Sequence, residues 1–321
     1  MRNLAVRKEK PKSGERLTFL LFTFFFLLST LAFAQDNDFG LDLSAGAEKK
    51  LLYNRLTLGL TAGFRTQDNT SRAERYDVEL SAAYKFYEHG SFSLKGGLSY
   101  EQIWSQKLGE CEATYKDKPR HVVYEDDKFD YIGNGQFAPI IEGYTSGYNK
   151  GYNYTASYWR PRSRVNMSLS FSYKPTKRWS FSLKETMQYN HYYSVTADRT
   201  EYREKTRFKE RYDDNGNPYT YTEVTNTTEY LVKQKLSKNR WILRSKLTVQ
   251  YNIRRNPFAP YLSIDYGTGI GDNAQKWKFT AGTDIKLDKK NTLEAFYRFQ
   301  KENDDDEPNG HYIGLGYNFK F

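Results

Sequence analysis

The feature that most constrains this chain is an alternation of apolar and polar residues, recurring in segments of about ten residues and running up to the last one. In the closing stretch HYIGLGYNFKF, residues His311, Ile313, Leu315, Tyr317, Phe319 and Phe321 share one face, whereas Tyr312, Gly314, Gly316, Asn318 and Lys320 share the other. Similar faces recur at Phe39 to Ala47, Leu56 to Phe64, Tyr76 to Phe86, Phe92 to Trp104, Val165 to Tyr173, Trp179 to Tyr189, Trp241 to Tyr251, Leu262 to Tyr266, Trp277 to Leu287 and Leu293 to Phe299. Ten extended residues tilted near 45° span about 25 Å, the height of an outer-membrane apolar band. A soluble sandwich also alternates, but its strands average only about five or six residues.

The intervening faces carry charges of both signs: Asp77, Glu79, Lys95, Glu101, Lys184, Arg244, Lys246, Asp265, Asp284, Glu294 and Arg298. Such residues suit a wet or salt-bridged lumen. Trp104, Trp179, Trp241 and Trp277 sit near segment ends, where aromatic girdles meet the membrane interface. The expected fold is therefore all-β: a transmembrane antiparallel up-and-down β-barrel of 10–12 strands, with short periplasmic turns and two long extracellular loops, 105–163 and 192–240. Strand parity makes the last strand run inward, with Tyr317, Phe319 and Phe321 at the periplasmic interface as an assembly signal. Bacterial single-chain barrels have even strand numbers. The segment at Phe39 to Glu48 would make eleven, so ten spanning strands plus an N-terminal strand outside the count is the preferred arrangement. Glu185 falls on the lipid face of its segment, which asks for a bulge, a protomer contact or a different register.

Residues 1–34 read as a cleaved signal peptide: a basic start from Arg2 to Arg16, an apolar run at Leu17 to Leu28, and Ala32-Phe33-Ala34 as the cleavage motif. The mature barrel domain would be 35–321, located in the outer membrane. Six basic and two acidic residues lie in 1–34, so the net charge falls from +10 to +6 after cleavage. Acids and bases are interleaved, which argues against a nucleic-acid footprint. Cys111 is the only cysteine, which excludes an internal disulfide framework and thiolate metal clusters. A mean hydropathy of −0.84 does not oppose a barrel, because half of each strand faces a wet interior.

The two long loops carry the candidate contact surfaces. In 192–240, Asn215-Gly216 signals a two-residue turn that would set Tyr212 opposite Tyr219. Arg203, Lys205, Arg207, Lys209 and Arg211 would then share one face, either holding surface polysaccharide or protecting an exposed edge. In 105–163, Tyr144, Tyr148, Tyr152, Tyr154, Tyr158 and Trp159 stand among Gly, Ser and Asn, a composition suited to binding glycan or peptide or to packing over the barrel mouth. His191 and His311, the latter beside Asp304, Asp305 and Asp306, are the rim residues available for base chemistry. No nucleophile elbow, metal-ligand spacing or phosphate loop accompanies them. No catalytic residue, cofactor or metal is expected.

The stretches DFGLDLSAGAEKKL at Asp38 to Leu51, NPFAPYLSIDY at Asn256 to Tyr266, the turn KKN at Lys289 to Asn291 and the ending NGHYIGLGYNFKF resemble an uncharacterised outer-membrane family, the domain of unknown function 2490. The resemblance implies an outer-membrane barrel and transfers no functional residue. The expected function is a narrow pore or a surface-exposed structural or binding protein; the alternative is an outer-membrane hydrolase acting on lipid or peptide at the extracellular rim. Expected partners are outer-membrane lipid and lipopolysaccharide, the barrel-assembly machinery, and a glycan or small solute.

Overall fold

The computed structural model describes residues 38–133, 136–213, 215–271, 274–303 and 309–321. Residues 1–34, expected as a signal peptide, and Asp304 to Asp306 lie outside the described residues. Fifteen strands follow one another: β1 Asp38–Leu51, β2 Leu56–Gln67, β3 Arg72–His89, β4 Phe92–Lys107, β5 Glu110–Gly133, β6 Gln136–Thr155, β7 Tyr158–Tyr173, β8 Trp179–Tyr192, β9 Val195–Tyr212, β10 Pro218–Lys235, β11 Lys238–Tyr251, β12 Phe258–Ile270, β13 Gln275–Lys286, β14 Asn291–Glu302 and β15 Gly310–Lys320. They form two compact units.

The first unit is a closed barrel of eleven strands, in the order β1-β15-β14-β13-β12-β11-β8-β7-β4-β3-β2. The expected even count does not hold, because the Phe39 segment is itself a full strand of the wall. It closes the barrel by pairing parallel with β15, from Asp38 opposite Gly310 to Glu48 opposite Lys320 without a break. An odd number of alternating strands brings two like directions together at the seam. The register makes this tolerable: Leu41, Leu43 and Ala45 lie beside Ile313, Leu315 and Tyr317, so both apolar faces stay outside. The other strand pairs given by residue register in the wall are antiparallel.

Local chemistry sets the short turns. Between β13 and β14, Asp288 Oδ1 accepts from the amides of Lys290 at 2.7 Å and Asn291 at 2.8 Å. Between β7 and β8, Thr176 Oγ1 accepts from the amides of Arg178 and Trp179, each at 3.2 Å. Gly90 turns β3 into β4 with φ +56°, a conformation that costs glycine little.

Outward faces are apolar around the wall. Leu60, Leu80, Leu98, Leu169, Leu247, Ile264, Phe279 and Leu315 are all exposed. Near the long-loop end, Trp241 meets Tyr189 at 4.8 Å between ring centroids and Trp277 meets Tyr266 at 4.4 Å; at the short-turn end Trp179 meets Tyr251 at 4.9 Å. Among the described residues no helix is long and apolar enough to cross a membrane, which says nothing of a barrel.

The second unit is a four-stranded sheet in the order β10-β9-β6-β5. The stretch expected as a loop at 105–163 is thus largely the hairpin β5–β6, and 192–240 is the hairpin β9–β10. Two further expectations are corrected here. Tyr212 pairs with Pro218 and Arg211 with Tyr219, one residue away from the Asn-Gly register. The cause is Asp213, whose Oδ1 accepts from the amides of Asn215 at 2.9 Å and Asn217 at 2.7 Å, while its own amide donates to the Asn217 carbonyl, so the loop is wider than two residues. The cationic strand β9 is also no edge: it lies between β6 and β10.

Candidate functional site: a charged lumen and a two-faced sheet

Strand parity turns the charges expected in the lumen inward, and cross-strand pairing brings several of them together. Arg75 Nε donates to Asp77 at 2.7 Å, and the same guanidinium is bonded to Glu101. Glu101 also accepts from Arg164 at 2.8 Å, and Arg164 Nε donates to Asn190 at 3.0 Å. Gln188 donates to the same Asn190 oxygen at 3.1 Å and accepts from Arg244 at 3.2 Å, and Arg244 is clasped by Asp265. One unbroken chain of polar contacts thereby crosses β3, β4, β7, β8, β11 and β12.

A second chain runs the other way. Glu74 faces Arg65 at 3.6 Å, Arg65 pairs with Asp42 at 3.0 Å, and Asp42 pairs with Arg298 at 2.5 Å. Arg65 also lies over the ring of Tyr312 at 4.8 Å. Glu294 accepts from the Tyr261 hydroxyl, and Asp284 from Gln250 at 2.7 Å. In the long-loop half several side chains are fully packed away from water: Asn190, Gln300 and Ile103 are 0% exposed, and Tyr312 is 1% exposed. Lys95, Lys184 and Lys246, nearer the short turns, remain exposed to lumen water.

Sequence reasoning missed Arg65, Arg75, Arg164, Asp42, Glu74, Gln188 and Asn190 as members of this network. For all but Glu74, inward parity is the signal in the sequence. Glu74 is the extra residue at the bulge between the Arg65–Arg75 and Thr66–Ala73 pairs, so alternation alone gives it no inward place, and Asp42 lies on the segment expected outside the barrel count.

Polar groups on the outer face are few. Gln102, which interrupts the alternation of β4, accepts from Ser163 at 2.8 Å and from the Tyr100 hydroxyl at 3.0 Å. Glu185 faces outward with no register shift on either side of β8, so neither a bulge nor another register explains it. Its carboxylate accepts from the Ser245 hydroxyl at 2.6 Å. It lies in an outer groove of about 670 Å³, lined by Ala82, Leu98, Met167, Leu169 and Met187 among others.

Tyr317, Phe319 and Phe321 share the outer face of the closing strand. Tyr317 donates to Asn291 at 2.5 Å, and the rings of Phe319 and Phe321 meet edge to face at 4.9 Å. His191 Nδ1 donates to the Asn239 amide oxygen at 2.6 Å, and His311 Nδ1 is hydrogen-bonded to the Tyr297 hydroxyl at 2.5 Å. These histidines stand on β8 and β15, with β11, β12, β13 and β14 between them, so the rim pair considered for base chemistry is not assembled.

In the four-stranded sheet the two faces differ in chemistry. Tyr152 pairs with Tyr202 and Tyr148 with Thr206, so Tyr144, Tyr148, Tyr152 and Tyr154 share one face with Tyr202 and Phe208. Ring centroids are 5.9 Å apart for Tyr115–Tyr148, 6.3 Å for Tyr148–Phe208 and 5.3 Å for Tyr152–Tyr202. Tyr158 and Trp159 belong to β7 instead, with Lys235 over Tyr158 at 5.8 Å. The opposite face carries Arg203, Lys205, Arg207, Lys209 and Arg211. Lys209 is bridged to Glu223 at 2.7 Å, Arg211 to Glu142 at 3.0 Å and Arg203 to Glu201 at 3.0 Å. On this face β6 presents Gly143, Gly147 and Gly151, where a Cβ would stand about 2 Å from β9 carbonyl oxygens.

No protein-family model matches the chain, and no curated protein matches it in sequence. Among solved structures, one match is the CymD monoaromatic hydrocarbon channel, at 11% identity over 82% of each chain with a TM-score of 0.28, a likeness too loose to bear on what this chain does.

Proposed function

We propose that this chain is an outer-membrane β-barrel protein in which the barrel is an anchor and the four-stranded sheet is a contact surface for glycans. Membrane location is supported by the apolar exterior, because contiguous exposed apolar surface of this extent is not stable in water, and by the signal-like N-terminus and the resemblance to the outer-membrane family described above. The anchoring role is supported by the packed layer of ion pairs in the long-loop half of the lumen.

The aromatic face of the sheet carries the reading. Tyr115 is 65% exposed, Phe208 46% and Tyr152 41%, although each lies beside another ring. Flat, exposed rings in series offer their faces to the apolar C–H surface of sugars, while the flanking amide and hydroxyl groups bond sugar hydroxyls. A glycan array probed with the purified protein tests this. Tyr115→Ala and Tyr152→Ala are expected to abolish the signal while heat-modifiable gel mobility stays intact; an array with no signal for the native protein would refute it.

A second reading, a narrow pore, is favoured by the wet, lysine-lined short-turn half of the lumen. It requires a path through the packed layer. Steps of conductance in a planar bilayer would support it, and silence from correctly folded protein would sink it.

A further inference from the structure

The lysines of the lumen fall in one cross-strand row. Lys85 pairs with Lys95 on β4. Ser168 donates to the Gly97 carbonyl and Asn166 to Ser99, and the same antiparallel register places Ser170 beside Lys95. Ser170 pairs with Lys184, Lys184 with Lys246, Lys246 with Asp265, and Asp265 with Lys278. All of these residues point inward.

Like charges directly opposite one another destabilise a sheet, and here this occurs twice, at Lys85–Lys95 and at Lys184–Lys246. Two members of the row are compensated: Lys85 is bonded to Glu88 at 2.7 Å, and Lys278 has partners of its own. Among the described residues, Lys95, Lys184 and Lys246 have no hydrogen bond or ion pair. The acids nearest to Lys184 and Lys246 are committed elsewhere or stand off. Asp265 is clasped by Arg244 and Glu294 is bonded to Tyr261, whereas Glu79 acts on Lys184 without a bond.

We propose that Lys95, Ser170, Lys184 and Lys246 form a binding site for a small oxyanion, a phosphate or a carboxylate, entered from the short-turn end. Lys95 and Lys246 stand three strands apart, about 14 Å along the wall. Flexible four-carbon stems reaching inward from a curved wall bring their ammonium groups onto one anion, with the Ser170 hydroxyl as a further donor. The packed Arg–Glu layer ends the site on the other side, because its cations are already spent on carboxylates. This inference does not depend on the glycan reading.

The test is calorimetric titration of the purified full chain with inorganic phosphate, and separately with succinate, in low-salt Tris chloride. Saturable binding of either anion is expected, and whichever binds names the class. Lys184→Gln/Lys246→Gln is expected to bind roughly tenfold or more weakly, with heat-modifiable mobility retained, and Arg207→Gln in the sheet is expected to bind as the native chain does. A second readout needs no variant: the anion that binds, phosphate or succinate, should raise the melting temperature of the native protein more than chloride of equal ionic strength. No saturable heat with either anion, unchanged binding by the double variant, or equal shifts in the binding anion and in chloride would each overturn the proposal.

Discussion

Arg298 and Asp42 lie 256 residues apart in sequence and form an ion pair of 2.5 Å inside the barrel. Arg298 is on β14 and Asp42 on β1, so the pair reaches past β15 and ties together the two strands that flank it. The parallel seam thus has a side-chain clasp as well as its backbone ladder. Asp42→Ala removes the acid that both Arg298 and Arg65 use. It is expected to lower stability by about 2 kcal/mol and to let the heat-modified form appear at lower temperature on gels.

Between these strands, Gly314 makes room for the Phe296 ring, whose atoms stand 1.9 to 2.4 Å from where a Cβ would be. Gly314→Val should be destabilising by about 1–3 kcal/mol through overpacking. Adding Phe296→Ala should recover part of that loss, because the ring and the new side chain contend for one space. A thermal melt of the two variants checks this; failure of the second change to restore anything would separate the glycine from the ring.

Glu101 serves two guanidiniums, those of Arg75 and Arg164, and is 5% exposed. Glu101→Gln keeps the volume but leaves two buried cations facing each other, and should destabilise the barrel by about 3–5 kcal/mol. Loosening the layer should also raise water entry into the long-loop half, read as faster amide exchange on β4 and β7.

Glu185 faces outward among Leu169, Met167 and Met187 with Ser245 as its hydrogen-bond partner. A carboxyl on a lipid-facing wall is unfavourable, so Glu185→Leu should stabilise the barrel in lipid by about 1 kcal/mol. Denaturant titration in vesicles measures it. A loss of stability together with a smaller particle would show instead that Glu185 holds a second copy.

At the tip of β9–β10 the Asp213 carboxyl is held below its ordinary value, first by the Asn217 backbone amide and then by the Asn217 side chain and the Asn215 amide. A lowered carboxylate stabilises the turn fully above the unfolded value near 3.8, and that contribution is lost as pH falls through the lower folded value. Protection of the Asn215 and Asn217 amides, taken relative to their unstructured exchange rate at the same pH, should fall below pH 3.8 in the native chain, and Asp213→Ala should lack that protection at neutral pH as well.

The period-two alternation by itself determined the fold class, the inward placement of residues such as Lys246 and Arg298, and the outward placement of Tyr317 and Phe319. It could do so because the pleat forces successive side chains to opposite faces whatever the partner strand. Only the tertiary structure decided the eleven-strand count and the parallel β1–β15 seam, since closure depends on which strands meet and the alternation of β1 suits a seam or a free edge equally well. It also decided that β5, β6, β9 and β10 form a sheet of their own, with cationic β9 inside it. Pairing between hairpins more than forty residues apart leaves no mark in either hairpin's local pattern. Most of all, it decided partners: Lys184 and Arg244 look alike in sequence, but Arg244, opposite Gly267, reaches diagonally to Asp265, whereas cross-strand register leaves Lys184 against another lysine.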